Sequence, residues 1–459
     1  MKPRCTRCTS RLEALEPRQM LSGNPLTVLT VPTPTGPQLQ ILSSNKSDNI
    51  DVSPVAGGLQ ITNGSWATVA TGDFASLVIH ASKGNDVITI DPAITLPTSL
   101  WGGLGDDTIF GGSGDDHIYG QAGTDQLFGG AGNDTLVNIG DSRYDQATGG
   151  DGFDSFWSDG GTTERVIDAS ADELSAGAVH QVDRFFGFTR LRKGAPRAAR
   201  PSTDLNGEDL SDPGVDDLSA SYQNFAADPL FATDGPSADD VIQGYMGDCW
   251  YLSTLAAIAR TNPSALYQSV VELGDGTYGV QFADGSSGGK VFVRVDADLP
   301  VASWGDLQYA GLGHQKSLWV AVMEKAYACF RYGGLANYAD LDGGWMDEAF
   351  NDLGYADDPL WHTSSGDQLL DWIANELDAG KAVTFAVNTP PRGTPLIGCH
   401  AYTVVSVDTD STTGARTLVM RNPWGIDGIG YDGNDDGYVR VTPEQALASF
   451  WGVVSANVG

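Results

Sequence analysis

The sequence predicts a multidomain chain that is all-β in its N-terminal part and α+β in its C-terminal part. Three observations carry that expectation. The chain has 459 residues, too many for one ordinary core and suited to two or three units of roughly 100–200 residues each. From about residue 81 to 157, Gly and Asp recur in step with short apolar runs. From about residue 236, helical apolar spacing alternates with β-branched runs, the mark of an α+β unit.

Taken in order, residues 1–23 are basic but lack the apolar stretch of an ordinary signal peptide. They contain Leu15-Glu-Pro-Arg-Gln-Met-Leu-Ser22, which resembles the N-terminal Leu-Glu-Pro-Arg motif on exported proteins of planctomycete-type bacteria. That resemblance implies export, hence an extracellular or cell-surface location; the residues alone read equally as a helical turn stopped by Pro17. Residues 24–80 form a short β region, with runs such as Leu26-Thr-Val-Leu-Thr-Val31 and Ser76-Leu-Val-Ile-His80 between turn residues.

Residues 81–157 are periodic. Gly102-Gly-Leu-Gly-Asp-Asp-Thr-Ile-Phe110 is followed by copies beginning at Gly111, Gly120 and Gly129, a repeat of nine residues. Outlying copies lie at Ala81–Thr89 and Gly149–Trp157. The first half of each copy is a turn that uses glycine for positive φ. The second half is a short strand pointing Ile109, Ile118, Leu127 or Leu136 inward. The pattern is identified as the calcium-binding nonapeptide of RTX proteins. The resemblance implies a parallel β-roll in which repeats n and n+2 stack, Asp107 facing Asp125 across one calcium row and Asp116 facing Asp134 across the other. Turn carbonyls would complete the calcium shells.

Residues 158–219 read as a linker, basic over Arg184–Arg200 and acidic over 201–218. Exposed linkers are also where proteases cut, so processing is a second reading.

The net charge is −33. A chain so acidic repels nucleic acids and anionic lipid, and its carboxylates suit hard cations, calcium above all. No apolar run reaches 18 residues, so no transmembrane anchor is expected. The five cysteines, Cys5, Cys8, Cys249, Cys329 and Cys399, are an odd set that argues against a disulfide scaffold. Cys5 and Cys8 have metal-ligand spacing but no second pair.

The chemistry falls in residues 220–459. Asp240-Val-Ile-Gln-Gly-Tyr-Met-Gly-Asp-Cys-Trp250 leads into a helical pattern over Tyr251–Arg260. Cys249 therefore stands at a helix N-terminus, where free N–H groups favour a thiolate. Among the six histidines, His400 lies in Gly398-Cys-His-Ala-Tyr-Thr-Val-Val-Ser-Val407, which reads as a buried strand able to hold an imidazole rigidly. Its neighbour Cys399 then points to the opposite face and reads as packing. Leu418-Val-Met-Arg-Asn-Pro-Trp-Gly425 supplies Asn422, whose amide oxygen could orient the imidazole under the cover of Trp424. Asn-Pro is also an ordinary turn, although a turn does not account for the tryptophan.

Gln-Gly-x-x-Gly-Asp-Cys-Trp, Gly-x-His-Ala-Tyr and Arg-Asn-Pro-Trp-Gly resemble, in that order, the calpain protease core. So does the middle block Ser317-Leu-Trp-Val-Ala-Val-Met-Glu-Lys-Ala-Tyr327 followed by Asp342-Gly-Gly-Trp345. The resemblance implies a papain-like two-subdomain core, a Cys249–His400–Asn422 triad, and Gln243 with the Cys249 backbone N–H as oxyanion donors. It implies peptide-bond hydrolysis of protein or peptide substrates, with no metal in the chemistry. The sequence departs from conventional calpains in lacking a second Trp soon after Asn-Pro-Trp-Gly and in showing no penta-EF-hand pattern. The gating calcium sites of that core therefore do not carry over. Asp432-Gly-Asn-Asp-Asp-Gly437 partly fits a calcium loop, but Pro443 stands where Glu is needed. Two other functions compete: a non-enzymatic calcium-binding adhesion protein with an inactive protease domain, and a transglutaminase-type acyl transferase. The latter normally orients its histidine with Asp, and Asn422 favours the protease.

Overall fold

The computed structural model describes residues 26–140, 144–161, 164–186, 210–215, 219–285, 289–332, 336–428 and 435–459. Cys5, Cys8, the Leu15–Ser22 motif, the stretch 187–209 and residues 429–434 of the acidic loop lie outside the described residues.

Two eight-stranded sheets face each other in the N-terminal part. One runs from Thr27–Thr33 through Gly36–Leu42, Ser76–His80, Thr98–Leu104, His117–Ala122, Thr135–Asn138 and Ser155–Asp159 to Val179–Val182. The other runs from Trp66–Thr71 through Gly58–Asn63, Asn49–Val55, Val87–Ile90, Thr108–Gly112, Gln126–Ala131 and Gln146–Asp151 to Arg165–Val166. Successive repeats enter opposite sheets, so each strand pairs in parallel with the strand two repeats away. Ile109 pairs with Leu127 and Ile118 with Leu136. The alternation of side chains along a strand sends Ile109, Ile118, Leu127 and Leu136 inward, where all four are fully buried with Leu100, Ala147 and Phe156. Each such burial contributes about 1.5–3 kcal/mol, but a single coil buries too little apolar surface to stand alone, so stability comes from stacking. Glycine is required where coils touch: at Gly105 φ is +129°, and a Cβ would lie 1.9 Å from the Gly84 carbonyl oxygen.

This solenoid is longer at both ends than the repeats indicate. Strands of the 24–80 region belong to the same two sheets and begin the stack with antiparallel pairs. At the other end, the sequence reading assigns 158–219 to a linker. The chain instead continues the coil through Arg165–Val166 and Val179–Val182, then pairs Phe185–Phe186 with a strand of the C-terminal part. The regular nine-residue spacing breaks after Val137, yet Thr135 still pairs with Ser155 and Gln126 with Gln146, and the sheet runs on past Trp157.

The C-terminal part has two cores. One surrounds the helices Cys249–Thr261 and Trp319–Tyr332, together with the antiparallel strands Thr277–Asp284 and Gly289–Asp296. The other lies between the helix Gly366–Asp378 and a six-stranded antiparallel sheet. That sheet is ordered Asp357–Leu360, Phe450–Ala456, Ala382–Val387, His400–Thr409, Arg416–Arg421, Tyr438–Val441. Buried Lys325 donates to Asp212, Asp296 and the Asp298 carbonyl, which fastens the segment 210–215 to the first core. Among the described residues, no helix is long and apolar enough to cross a membrane.

The solenoid is not a free appendage. On its outer face His80, Trp101, Tyr119, Val137, Trp157 and His180 form one register-aligned file. His80 stacks on Trp101, Trp101 on Tyr119, and Trp157 on His180. The lower part of this file packs with Phe185, Val271, Leu273 and Phe292 into one hydrophobic cluster. Trp101 Nε1 donates to the Gly274 carbonyl at 2.9 Å. The ring nitrogens of His180, which lies in the stretch read as linker, bond Gln281 and Gln268. Trp157→Ala is expected to destabilise this junction by about 3–5 kcal/mol. In denaturant unfolding, solenoid and C-terminal transitions that coincide in the wild type should separate; unchanged transitions would show that the file carries no coupling.

Candidate active site and calcium rows

Cys249 is the first residue of the helix Cys249–Thr261, and Asp248 is its N-cap. The helix starts there because Asp248 leaves helical geometry while its carbonyl accepts from the N–H groups of Tyr251 and Leu252. His400 opens the strand His400–Thr409. Helix and strand are tied by Thr403 Oγ1 donating to the Ser253 carbonyl at 2.7 Å. Asn422 follows the neighbouring strand Arg416–Arg421. Its Oδ1 lies 2.8 Å from His400 Nε2, and its amide nitrogen donates to the Ile426 carbonyl at 2.9 Å. Nε2 is thereby oriented as the donor, leaving Nδ1 as the proton acceptor. The Trp424 ring lies 5.0 Å from the imidazole and excludes water from that bond.

The thiol meets this strand through its second residue, because the Ala401 N–H donates to the Cys249 sulfur. The thiol, imidazole and carboxamide are all buried. Burial governs their titration. It pushes the Cys249 thiol up to about 11, with the Asp248 charge adding and the Ala401 N–H opposing. It pulls His400 down to about 4 against the Asn422 hydrogen bond. The helix N-terminus alone suggests a lowered thiol pKa; desolvation outweighs it and favours the neutral forms of both thiol and imidazole.

Gln243 lies on the segment leading to Cys249. Its N–H donates to the Pro423 carbonyl at 2.8 Å, and Arg421 reaches the same segment through Asp239 and the Val241 carbonyl. The glutamine and asparagine loops are thus stitched together. The Gln243 side-chain nitrogen is engaged with the Met246 carbonyl at 2.5 Å and Asp248 Oδ1 at 3.1 Å. Two residues that the sequence reading passes over, Asp248 and Glu324, are fully buried beside this start. Only their positions inside the Gly-Asp-Cys-Trp and Glu-Lys-Ala-Tyr motifs hinted at a role. Cys329 is buried in its helix as the pattern suggests, whereas Cys399 is exposed at φ +52° rather than packed. The strand begins one residue after it, so the alternation argument did not apply.

The repeat aspartates form two ladders. In one, Asp48, Asp86, Asp107 and Asp125 each donate a backbone N–H to Oδ1 of the next member as far as Asp145, whose own N–H donates to Glu164 Oε1. In the other, Thr98, Asp116 and Asp134 do so, ending at Asp154. Glu173 caps the second ladder by accepting from Asp154. Sequence reading found Asp107, Asp116, Asp125 and Asp134. It missed Asp86, Asp145, Asp154 and Glu173, whose spacing falls outside the regular repeats. Oδ2 of Asp86, Asp107, Asp116, Asp125 and Asp134 is buried without a donor, an arrangement costly unless a cation compensates. At Gly102, Gly111, Gly120 and Gly129 a Cβ would lie 2.2–2.6 Å from these Oδ2 atoms, so glycine keeps the space around them open. The residues fit calcium. Among the described residues no three acidic, His or Cys side chains converge on one point, and backbone carbonyls would supply the remaining oxygens of each shell.

Burial, reinforced by neighbouring carboxylates, raises Asp107 and Asp116 to about 7 and Asp125 and Asp134 to about 8. The metal-free fold therefore holds protons that the unfolded chain, with carboxyls near 4, releases. Its stability falls as pH rises from about 4 to about 8, where the penalty is complete. Thermal melts followed by circular dichroism with chelator should show that decline, and calcium should reverse it at pH about 7.5. A chelated melt independent of pH would contradict this electrostatic account.

The family model described as Calpain family cysteine protease matches residues 221–434, and that of the RTX calcium-binding nonapeptide repeat (4 copies) matches residues 101–136. The mouse calpain-1 catalytic subunit is 30% identical over 222 residues, covering 43% of this chain and 29% of the relative. Mouse calpain-12 is 33% identical over 219 residues, covering 44% and 29%. A thiol protease of Porphyromonas gingivalis is 26% identical over 222 residues, covering 41% and 44%. The chain thus spans less than half the length of these relatives. With the paired cores and the stacked nonapeptides, these matches make residues 221–434 a calpain-family cysteine protease domain, joined on one chain to a solenoid of RTX calcium-binding repeats.

Proposed function

We propose that this chain is a cysteine endopeptidase that hydrolyses peptide bonds through Cys249, His400 and Asn422. The observation that carries the reading is the 2.8 Å bond from His400 Nε2 to Asn422 Oδ1, on a strand whose next residue holds the Cys249 sulfur. Because thiol and imidazole rest neutral, His400 Nδ1 takes the thiol proton as sulfur attacks the substrate carbonyl. The Asn422 carboxamide holds the imidazolium that forms. The oxyanion develops beside the Cys249 backbone N–H and Gln243, whose nitrogen releases or shares one of its two present acceptors to donate. His400 then protonates the leaving amine and activates water to free the acyl-enzyme.

Asn422 stands where transglutaminase-type acyl transferases normally carry Asp, which favours hydrolysis over acyl transfer to amines. An inactive adhesion protein has no need of the bond between His400 and Asn422. Calcium is a structural component of the solenoid, and the aromatic file of the solenoid packs against the protease. The Leu15–Ser22 motif and the RTX repeats support export to the cell surface or beyond.

Cys249→Ala should reduce cleavage of an unfolded protein substrate to background. Asn422→Ala should lower kcat by part of the about 10²–10⁴-fold that general acid–base catalysis contributes. Cleavage that survives Cys249→Ala would end the assignment, and incorporation of a labelled amine by the wild type would favour the transferase. Iodoacetamide alkylation of Cys249 should climb with pH across about 7 to 10; a plateau in place by about pH 5 would mean a preformed ion pair.

A further inference from the structure

Directly beneath the start of the helix Cys249–Thr261 two carboxyl groups meet in the protein interior. Asp248 and Glu324 are 0% and 1% exposed and lie within hydrogen-bond reach of each other. Their outer oxygens are already used: Glu324 Oε2 accepts the Ala310 N–H at 3.0 Å, and Asp248 Oδ1 accepts Gln243 Nε2 at 3.1 Å. The inner oxygens, Asp248 Oδ2 and Glu324 Oε1, have no other donor. Among the described residues no cation pairs with either carboxyl, for the adjacent Lys325 is turned to Asp212 and Asp296. The groups facing the pair are Asp342, Cys249 and the phenols of Tyr251 and Tyr338. All are neutral or negative in the resting state, so none can stabilise a second negative charge.

Resting on the protease reading above, we infer that Glu324 and Asp248 share one proton, held on Glu324 Oε1 and donated to Asp248 Oδ2, and that this proton positions Gln243 for the oxyanion. One proton satisfies both inner oxygens at once. Two ionised carboxylates in contact inside the protein are excluded by repulsion and desolvation together. Burial first, then the Asp248 charge, raises Glu324 well above the usual carboxyl range, which assigns the proton to Glu324. Asp248 stays a carboxylate and accepts at Oδ1, so the Gln243 amide must present nitrogen to it. With a second proton, on Asp248, that carboxyl could donate and draw the Gln243 oxygen inward instead. With none, the pair would part. The proton count therefore sets the orientation of an amide six residues before the nucleophile. Glu324 touches no reacting atom, so it is a positioning residue.

The test uses the full calcium-loaded chain, in which the repeat carboxylates are ionised. Infrared difference spectra between wild type and Glu324→Gln at neutral pH should show a protonated carboxyl band in the wild type alone. Superimposable spectra in that region would overturn the inference, whether or not the chain proves to be a protease. On peptide cleavage, Glu324→Ala should lower kcat by about 10²-fold, the scale of a lost oxyanion donor, with little change in KM. Glu324→Gln, which offers an N–H to Asp248 Oδ2 and an oxygen to the Ala310 N–H, should recover most of that loss. If it is as impaired as Glu324→Ala while melting at the wild-type temperature, the shared proton does not position Gln243. A wild type with no peptidase activity would defeat the protease reading and leave the infrared result to decide the proton.

Discussion

The helix Cys249–Thr261 is buried along nearly its whole length, and both halves of the protease are assembled on it. One core closes over it through Trp250, Tyr251 and Leu255, and the six-stranded sheet reaches the same core through Ala382, Ala386, Ala401 and Val454. Burial of that kind fixes the helix in place, because interiors packed to crystal-like density tolerate little displacement. It also forces the polar groups at the helix start to find partners within the protein. The geometry of Cys249, Asp248, Gln243 and Glu324 follows from that one constraint.

The site is accordingly built from neutral and shared-proton groups rather than free charges. Desolvation disfavours thiolate and imidazolium alike, and the hydrogen bond that His400 Nε2 donates to Asn422 Oδ1 sets the tautomer of the neutral ring. The loops carrying Gln243 and Asn422 are joined by Arg421, whose guanidinium is buried on the Asp239 side of the seam. Movement of one loop therefore drags the other, and Asn422 and Gln243 are held in common register.

The solenoid obeys the opposite logic. Its inner core is one layer of aliphatic side chains, and its edges concentrate aspartates that repel one another until a cation intervenes. It gains a second support on the outside, where the aromatic file ending in Trp157 and His180 lies against Val271, Leu273 and Phe292. Among the described residues, the parallel pairing of Phe185–Phe186 with Phe292–Val293 joins the end of this solenoid to a protease strand. Calcium-dependent order and the first protease core thus share a hydrophobic boundary.

What the sequence determined by itself was whatever repeats or is local. Nine-residue periodicity specified the stacked coils and the inward Ile and Leu positions, since period and glycine turns leave one way to bury them. Apolar spacing placed Cys249 at a helix start, and short motifs in order identified the protease family. Tertiary structure decided what depends on burial and on distant partners. It carried the solenoid past Trp157 through residues with no repeat, because sheet register needs only backbone pairing and a buried side chain. It added Asp86, Asp145, Asp154 and Glu173 to the acidic ladders. It reversed the sign of the thiol's pKa shift, which no helix pattern contains, because desolvation is a property of everything packed around Cys249. And it brought Asp248 against Glu324, 76 residues apart by their numbers, a contact that only the folded interior creates.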